Sequence, residues 1–306
     1  MPESRPDLST LPRYERPKEA TPAPVAFGDG EPIAYADLAR FLETSTLTVG
    51  GRDLLRGLLR LGRAAIFAGG GAGIEYSSLL KTATRPEYIG AHVQEVAAHL
   101  RACGVDVLVV PGMSGYPVGS MYSIASGIPA VLLKKQKLAE HAIGIGYPPG
   151  AFLIPSYTGD GDVLMSADPA SMQDIVDEIL EPQFAAQTEG ERIVLRIRVA
   201  GADDIIDKAT MSQAVSDSAL IVGKTAIANR VARYRRETGD ERPVEEIVEV
   251  VAWVTPLIKG YNRPHEHLQR WFGVTPFAGI NVTSVHLEPS AIGVEGIGIV
   301  AFAPER

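Results

Sequence analysis

Residues 104–135 read GVDVLVVPGMSGYPVGSMYSIASGIPAVLLKK. Gly112, Gly115 and Gly119, with Pro111 and Pro117, break an apolar run from a run of small residues, and the stretch closes on Lys134 and Lys135. Backbone amides of a glycine turn can face an anion, and a lysine pair adds positive charge. Residues of these types at this spacing suit a phosphorylated ligand.

The elements that must hold them follow from periodicity. Pro86–Ala102 carries Tyr88, Val93, Val96, Ala97 and Leu100 at roughly i, i+3/i+4 spacing and predicts a helix. Val105–Val110 predicts a strand, Ser120–Ser126 a helix, and the residues after Gly127 a second strand ending in the lysines. This is a β–turn–α–β unit, and such units gather ligands at the carboxyl ends of their strands.

Elsewhere, Ala34–Glu43 and Gly50–Leu61 read as short helices, Ala64–Phe67 as a strand and Gly69–Gly73 as a turn. Gln136–Gly150 reads as a loop. Ala151–Tyr157 and Asp162–Met165 read as a hairpin, and Asp168 as the N-cap of a helix Ala170–Leu180. Strands are predicted at Arg192–Val199, Ile247–Val254, Gly279–Leu287 and Gly293–Phe302, and helices at Ala214–Arg236 and Arg263–Trp271. Alternation of strands and helices predicts an α/β fold with a mostly parallel twisted sheet.

Composition narrows the classes. The 306 residues are 45% apolar, enough for a sizeable core, with a net charge of −8. That charge argues against a broad nucleic-acid surface. A single cysteine, Cys103, excludes an intrachain disulfide and fits a reducing cytoplasm. No apolar run is long enough to predict a membrane span. Met1–Val25, rich in proline, reads as a flexible arm or one that wraps a partner subunit.

Three motif-like runs carry no chemistry. His265 and His267 stand two apart, on different helix faces, which disfavours a metal pair. Gly223-Lys224-Thr225 lacks the first glycine of a phosphate loop, Ser218 standing in its place. Gly69–Gly73 lacks dinucleotide-binding spacing.

The run Gly73-Ile74-Glu75-Tyr76-Ser77-Ser78-Leu79-Leu80, then the helix, then residues 104–138, resembles the adenine phosphoribosyltransferases. In that family a G-I-x-F-R-D-I segment precedes a helix. G-V-D, a G-x-E-(A/S)-R-G-F turn, G-x-P and R-K-x-x-K-L follow in the same order. A second likeness lies in Asp203-Asp204-Ile205-Ile206-Asp207-Lys208-Ala209-Thr210-Met211, against D-D-(I/L)-(I/L)-(A/D)-T-G-G-T-M. The resemblance implies a type I phosphoribosyltransferase-like α/β fold, with helices on both faces of the sheet and a small hood. The domain would span residues 26–306, with an insertion near 168–190 and a C-terminal extension from about residue 260.

By that resemblance the enzyme would join a purine or purine-like base to the 5-phosphoribosyl group of phosphoribosyl pyrophosphate. Mg²⁺ would assist, and the chain would act as a cytoplasmic homo-oligomer, a homodimer by the family's habit, with no nucleic-acid or membrane partner. Asp203 and Asp204 would face the ribose hydroxyls, since carboxylates accept two hydroxyl donors. Asp207, Lys208, Ala209 and Thr210 would cradle the 5-phosphate, with Lys208 adding charge where glycines are missing. Lys134 and Lys135 would meet pyrophosphate or stand as a solvated strand end. Tyr76 would be a base platform or core. Ser114 and Tyr116 would contact ligand or only stabilise the turn. Glu140 and His141, in the loop expected to close over the site, would be the acid/base candidates, with a solvated loop charge as the alternative.

Three departures stand out. Ala209 replaces a glycine where φ > 0 is needed, which predicts a differently shaped loop. Gly112-Met113-Ser114 lacks the family's acid and arginine, and Tyr76-Ser77-Ser78 lacks its Arg-Asp pair. These departures leave open a non-catalytic sensor of nucleotide or phosphoribosyl pyrophosphate on the same fold.

Overall fold

The structure, a computed structural model, describes residues 8–15, 31–66, 72–136, 147–155, 162–187 and 189–304. Along the chain run α1 (Leu38–Glu43), α2 (Val49–Leu61), a hairpin of β1 (Arg63–Ile66) and β2 (Ala72–Glu75), and α3 (Ser77–Leu80). Next come α4 (Pro86–Ala102), β3 (Val107–Pro111), α5 (Tyr116–Ser126), β4 (Ala130–Gln136), and a second hairpin of β5 (Phe152–Pro155) and β6 (Asp162–Ser166). The rest is α6 (Pro169–Ala186), β7 (Ile193–Ala202), β8 (Ile205–Ile206), α7 (Thr210–Thr238), β9 (Val244–Lys259), α8 (Pro264–Phe272), β10 (Phe277–Leu287), β11 (Ser290–Val294) and β12 (Gly298–Ala301).

One large sheet runs in the order β12-β11-β10-β9-β7-β3-β4-β6-β5, with β8 also paired to β9. Its centre, β10-β9-β7-β3-β4, is parallel, while β11 and β12 at one end and β6 and β5 at the other are antiparallel. The strands predicted at Arg192–Val199, at Val105–Val110 and after Gly127 are therefore neighbours, β7-β3-β4. The middle strands are apolar because both faces are covered. In β3, Leu108 and Val110 enter one core, with α2, α4 and α5 residues, while Val107 and Val109 enter the other, with α6 and α7 residues.

β7 reads apolar/charged because its first half meets helices on one face only. There Ile193, Leu195 and Ile197 are buried, and Arg196 bonds Glu249 at 3.0 Å. β3 reaches only Val199, Ala200 and Gly201, so the earlier backbone of β7 needs other partners. α6 supplies them. Gln183 exchanges two bonds of 2.8 Å with the Arg196 backbone, and Gln187 exchanges bonds of 2.8 and 2.7 Å with Val194. Two amide side chains one helical turn apart thus stand in for a missing strand. Asp168 caps this helix, accepting from the Ala170 amide at 3.2 Å.

Several boundaries differ from expectation, α7 and β9 among them, each longer at both ends than predicted; three others have a local reason. The strand expected from Val105 starts at Val107, because Gly104 (φ 63°) closes α4 with bonds from Gly104 N to Arg101 O and from Val105 N to Leu100 O. This is a Schellman closure, which spends Val105 on the helix. The helix expected from Ser120 starts at Tyr116, because Pro117 suits a first turn. The strand expected over Gly293–Phe302 is two, β11 and β12, reversed between Val294 and Gly298.

N-terminal residues cover both sheet edges. Tyr14 N bonds Leu153 O (3.2 Å) and Leu153 N bonds Pro12 O (2.9 Å) along β5. Ile33 makes the equivalent pair with Ile299 and Ala301 along β12, both at 2.9 Å. Edge amides are thereby satisfied within the chain. Among the described residues no helix is long and apolar enough to cross a membrane.

Candidate functional site

The turn after β3 is tied to the end of β4. Gly112 N and the Tyr116 hydroxyl both donate to Leu133 O, at 3.0 and 2.6 Å. Tyr116, a candidate ligand contact, therefore spends its hydroxyl on the turn. Burial raises its pKa, so it stays a donor. Ser114 is half-buried in this turn, and Met113 beside it is exposed. Lys134 and Lys135 extend β4 and are exposed. Successive strand residues face opposite ways. Lys135 shares the face of Val131 and Leu133, and Lys134 that of Ala130 and Leu132, so one face of the strand presents one lysine.

The acidic pair follows the carboxyl end of β7. Asp203 N bonds Val254 O at 3.2 Å, and Asp204 N bonds Asp203 Oδ1 at 2.8 Å. Both residues are buried, 8% and 1% exposed. Asp203 points at the turn after β3: a Cβ added to Gly115 would lie 2.9 Å from Asp203 Oδ1. Gly115 is thus required by close approach.

Asp204 has two partners that the sequence pattern did not reveal. Its Oδ2 accepts from the Tyr76 hydroxyl at 2.6 Å and pairs with Lys81 Nζ at 3.2 Å. Lys81 Nζ also lies 4.8 Å from the Tyr76 ring centroid. Tyr76, expected as a base platform or as core, is 7% exposed and fixed to the acidic pair through its hydroxyl. α3 accounts for this: its short turn separates Tyr76 from Lys81 and presents both to one carboxylate. Burial, and then the Asp204 charge, push the Asp203 carboxyl well above the usual range, with Lys81 pulling the other way. Deeper in the same core, Tyr122 is raised by burial and by the Asp204 charge. Its hydroxyl lies 3.0 Å from His92 Nε2, and burial lowers His92 to about 4.

Beyond the pair, β8 leads into a turn over residues 207–209 and then into α7. Ala209 adopts φ 60°, so the left-handed conformation expected to be avoided is in fact kept. Its strain is on the order of 1–2 kcal/mol. Ala209 is the N-cap of α7 and has no side chain to cap with, so the first amides of a 29-residue helix lack a side-chain cap. Thr210, 7% exposed, has its Oγ1 buried without a hydrogen-bond partner among the described residues. Uncapped amides and an orphaned hydroxyl at a helix start suit an anion. Lys208 stands half-buried between them and Asp207.

The Asp207 carboxylate, in the segment expected to cradle the phosphate, is bonded within the protein, to Lys259 Nζ (2.8 Å) and Asn262 Nδ2 (2.5 Å). Glu140 and His141 lie outside the described residues. Among the described residues no group of three or more acidic, histidine or cysteine side chains is placed to hold a metal ion. Sequence reasoning missed Lys81, Tyr122, His92, Lys259 and Asn262. The signal within reach was Lys81, one short helix beyond a tyrosine already singled out.

No protein-family model matches the chain, and no curated protein matches it. Solved structures similar to it include adenine phosphoribosyltransferases. That of Giardia lamblia, complexed with 9-deazaadenine, is 13% identical, with 74% of this chain and 96% of that one covered and a TM-score of 0.43. That of Rhodothermus marinus is 11% identical over 75% and 97%, with a TM-score of 0.43. That of Saccharomyces cerevisiae, complexed with an imino-altritol bisphosphate and adenine, is 12% identical over 75% and 98%, with a TM-score of 0.39.

Proposed function

We propose that this chain is a phosphoribosyltransferase that moves the 5-phosphoribosyl group from phosphoribosyl pyrophosphate to a ring nitrogen of a purine or purine-like base. One observation carries the proposal: of the acidic pair at the carboxyl end of β7, Asp203 is seated against the glycine turn after β3, and the uncapped start of α7 follows the pair. A sugar between a diphosphate and a monophosphate needs that order of groups.

In this reaction the bond from the anomeric carbon to the pyrophosphate oxygen breaks and a bond to the base nitrogen forms. The base loses a proton, and pyrophosphate leaves with the bonding electrons. The free oxygens of Asp203 and Asp204 would accept the ribose hydroxyls, and the Asp204 charge would favour positive charge developing on the ring. The α7 amides and the Thr210 hydroxyl would hold the 5-phosphate. The turn over residues 111–115 and a lysine from the end of β4 would meet the pyrophosphate. Mg²⁺ would enter with the diphosphate and neutralise charge on the leaving group, with Asp203 and Asp204 the carboxylates that would help hold it. Glu140 and His141 remain the proposed proton acceptors.

The experiment is pyrophosphate release from phosphoribosyl pyrophosphate over a panel of purines and analogues, with and without Mg²⁺. Base-dependent release is expected. Failure both to bind phosphoribosyl pyrophosphate and to turn it over would end the proposal. A second reading, a sensor, is favoured by the hold of Tyr76 and Lys81 on Asp204 and by a turn without acid or arginine. Binding without turnover on any base would select it.

A further inference from the structure

The turn that leads into α7 lacks the glycines that would let it fold around a phosphate unaided, and the structure holds it from outside. β8 lies parallel to β9, with Ile205 opposite Leu257 and Ile206 opposite Ile258. Ile206 and Ile258 are buried in the same core, so the register is fixed by packing. One step further on, Asp207 meets Lys259. The carboxylate receives Lys259 Nζ on Oδ2 at 2.8 Å and Asn262 Nδ2 on Oδ1 at 2.5 Å, using both oxygens. Asn262 belongs to a short 3-10 turn, Gly260–Asn262, that runs on into α8, whose Leu268 is fully buried in that same core. The end of β9 and the turn after it are therefore firm ground for the grip.

The need for a grip is visible two residues on. Ala209 is held at φ 60°, against its preference. Asp207 also poses an electrostatic problem, being a carboxylate three residues before the orphaned Thr210 hydroxyl at an anion-receptive helix start. A bare negative charge there would repel a phosphate dianion. Lys259 cancels it, and both side chains are largely buried, so solvent screens the pair weakly.

We infer that Asp207, Lys259 and Asn262 form a latch that fixes the 207–210 turn in its phosphate-receiving shape and neutralises the carboxylate beside it. Lys259 and Asn262 are thereby positioning residues for a phosphate monoester, supplied from beyond the acidic-pair segment. The inference rests on the proposed function for its ligand, but the latch itself has a ligand-independent readout.

The test titrates ribose 5-phosphate into the full chain by calorimetry and follows amide exchange of the peptide covering residues 207–212. Lys259→Met should weaken ribose 5-phosphate by about 10- to 100-fold, the range for losing a hydrogen bond to a charged group, and should speed exchange in that peptide. Lys259→Arg should restore most of both. Asp207→Asn combined with Lys259→Met should bind better than Lys259→Met alone, because the uncovered carboxylate is gone. Asn262→Ala, which uncovers no charge, gives a milder variant should Lys259→Met unfold, and it should still speed exchange. Unchanged binding in folded Lys259→Met would overturn the inference, as would a double variant no better than the single. Wild-type protein that ignores ribose 5-phosphate would count against the proposed function and not against the latch. The latch would then be judged on exchange alone, faster exchange supporting it and unchanged exchange overturning it.

Discussion

The Tyr76 hydroxyl donates a 2.6 Å hydrogen bond to Asp204 Oδ2, across 128 residues of chain, in a place where Asp204 is 1% exposed. With Lys81 on the same oxygen, the bond ties the segment around α3 to the acidic pair. Tyr76→Phe leaves the ring and removes only the donor. It should cost about 1.5–3 kcal/mol of stability in urea unfolding, as for other hydrogen bonds to charged groups. Lys81→Met should weaken phosphoribosyl ligands more than Tyr76→Phe does, since it strips the counter-charge from a buried carboxylate. Equal, negligible losses in both would dissociate the α3 segment from the pair.

Asp203 gives a pH dependence with a definite sign. Its carboxyl is raised, so the folded protein keeps this proton to higher pH than the unfolded chain does. The stabilising contribution is complete below the usual carboxylate range and is lost as pH rises through the folded value. Asp203→Asn cannot ionise, yet its oxygen can still accept the Asp204 amide. Melting temperatures should favour the variant near pH 8, with the advantage gone near about pH 3. An advantage constant across the range would refute the titration.

His92 works in the opposite direction. Burial lowers it to about 4, so its contribution is present above the ordinary histidine range and is lost as pH falls from there toward 4. From the 6.5 reference, the shift corresponds to roughly 3 kcal/mol at 1.36 kcal/mol per unit. His92→Gln should flatten the acid limb of the stability curve between about pH 6.5 and 4, whatever it does to absolute stability. An acid limb of unchanged steepness would place the proton uptake elsewhere.

The start of α7 should trade stability against binding. Ala209→Gly relieves the strain at φ 60° but adds chain entropy to the unfolded state, for a net gain of up to about 1 kcal/mol. Thr210→Val removes a buried hydroxyl that has no partner among the described residues, so thermal unfolding should show no loss or a gain. The same change should weaken ribose 5-phosphate measurably. A destabilised Thr210→Val protein that binds normally would mean that the hydroxyl serves the fold.

Much of the architecture was legible because it is local. The β3–α5–β4 unit follows from apolar runs set between glycines, α4 from its 3.6-residue period, and the Asp168 cap from one side chain ahead of a helix. The acidic pair was legible as a motif at a strand end, and the structure brings Asp203 against Gly115. What the sequence could not decide was which distant group each charged or hydroxyl side chain would meet. Tyr76, Lys81 and Asp204 join β2's exit to β7's exit because the segment around α3 packs into the core beside β7, and Asp207 and Lys259 join β8 to β9 through sheet order. Likewise, Ala209 takes its left-handed conformation as a buried member of the core that also holds the paired Ile206 and Ile258. Periodicity and capping act over a few residues and can be read along the chain. Buried charge pairing and imposed strain are set by the whole core, so they exist only once the sheet has formed.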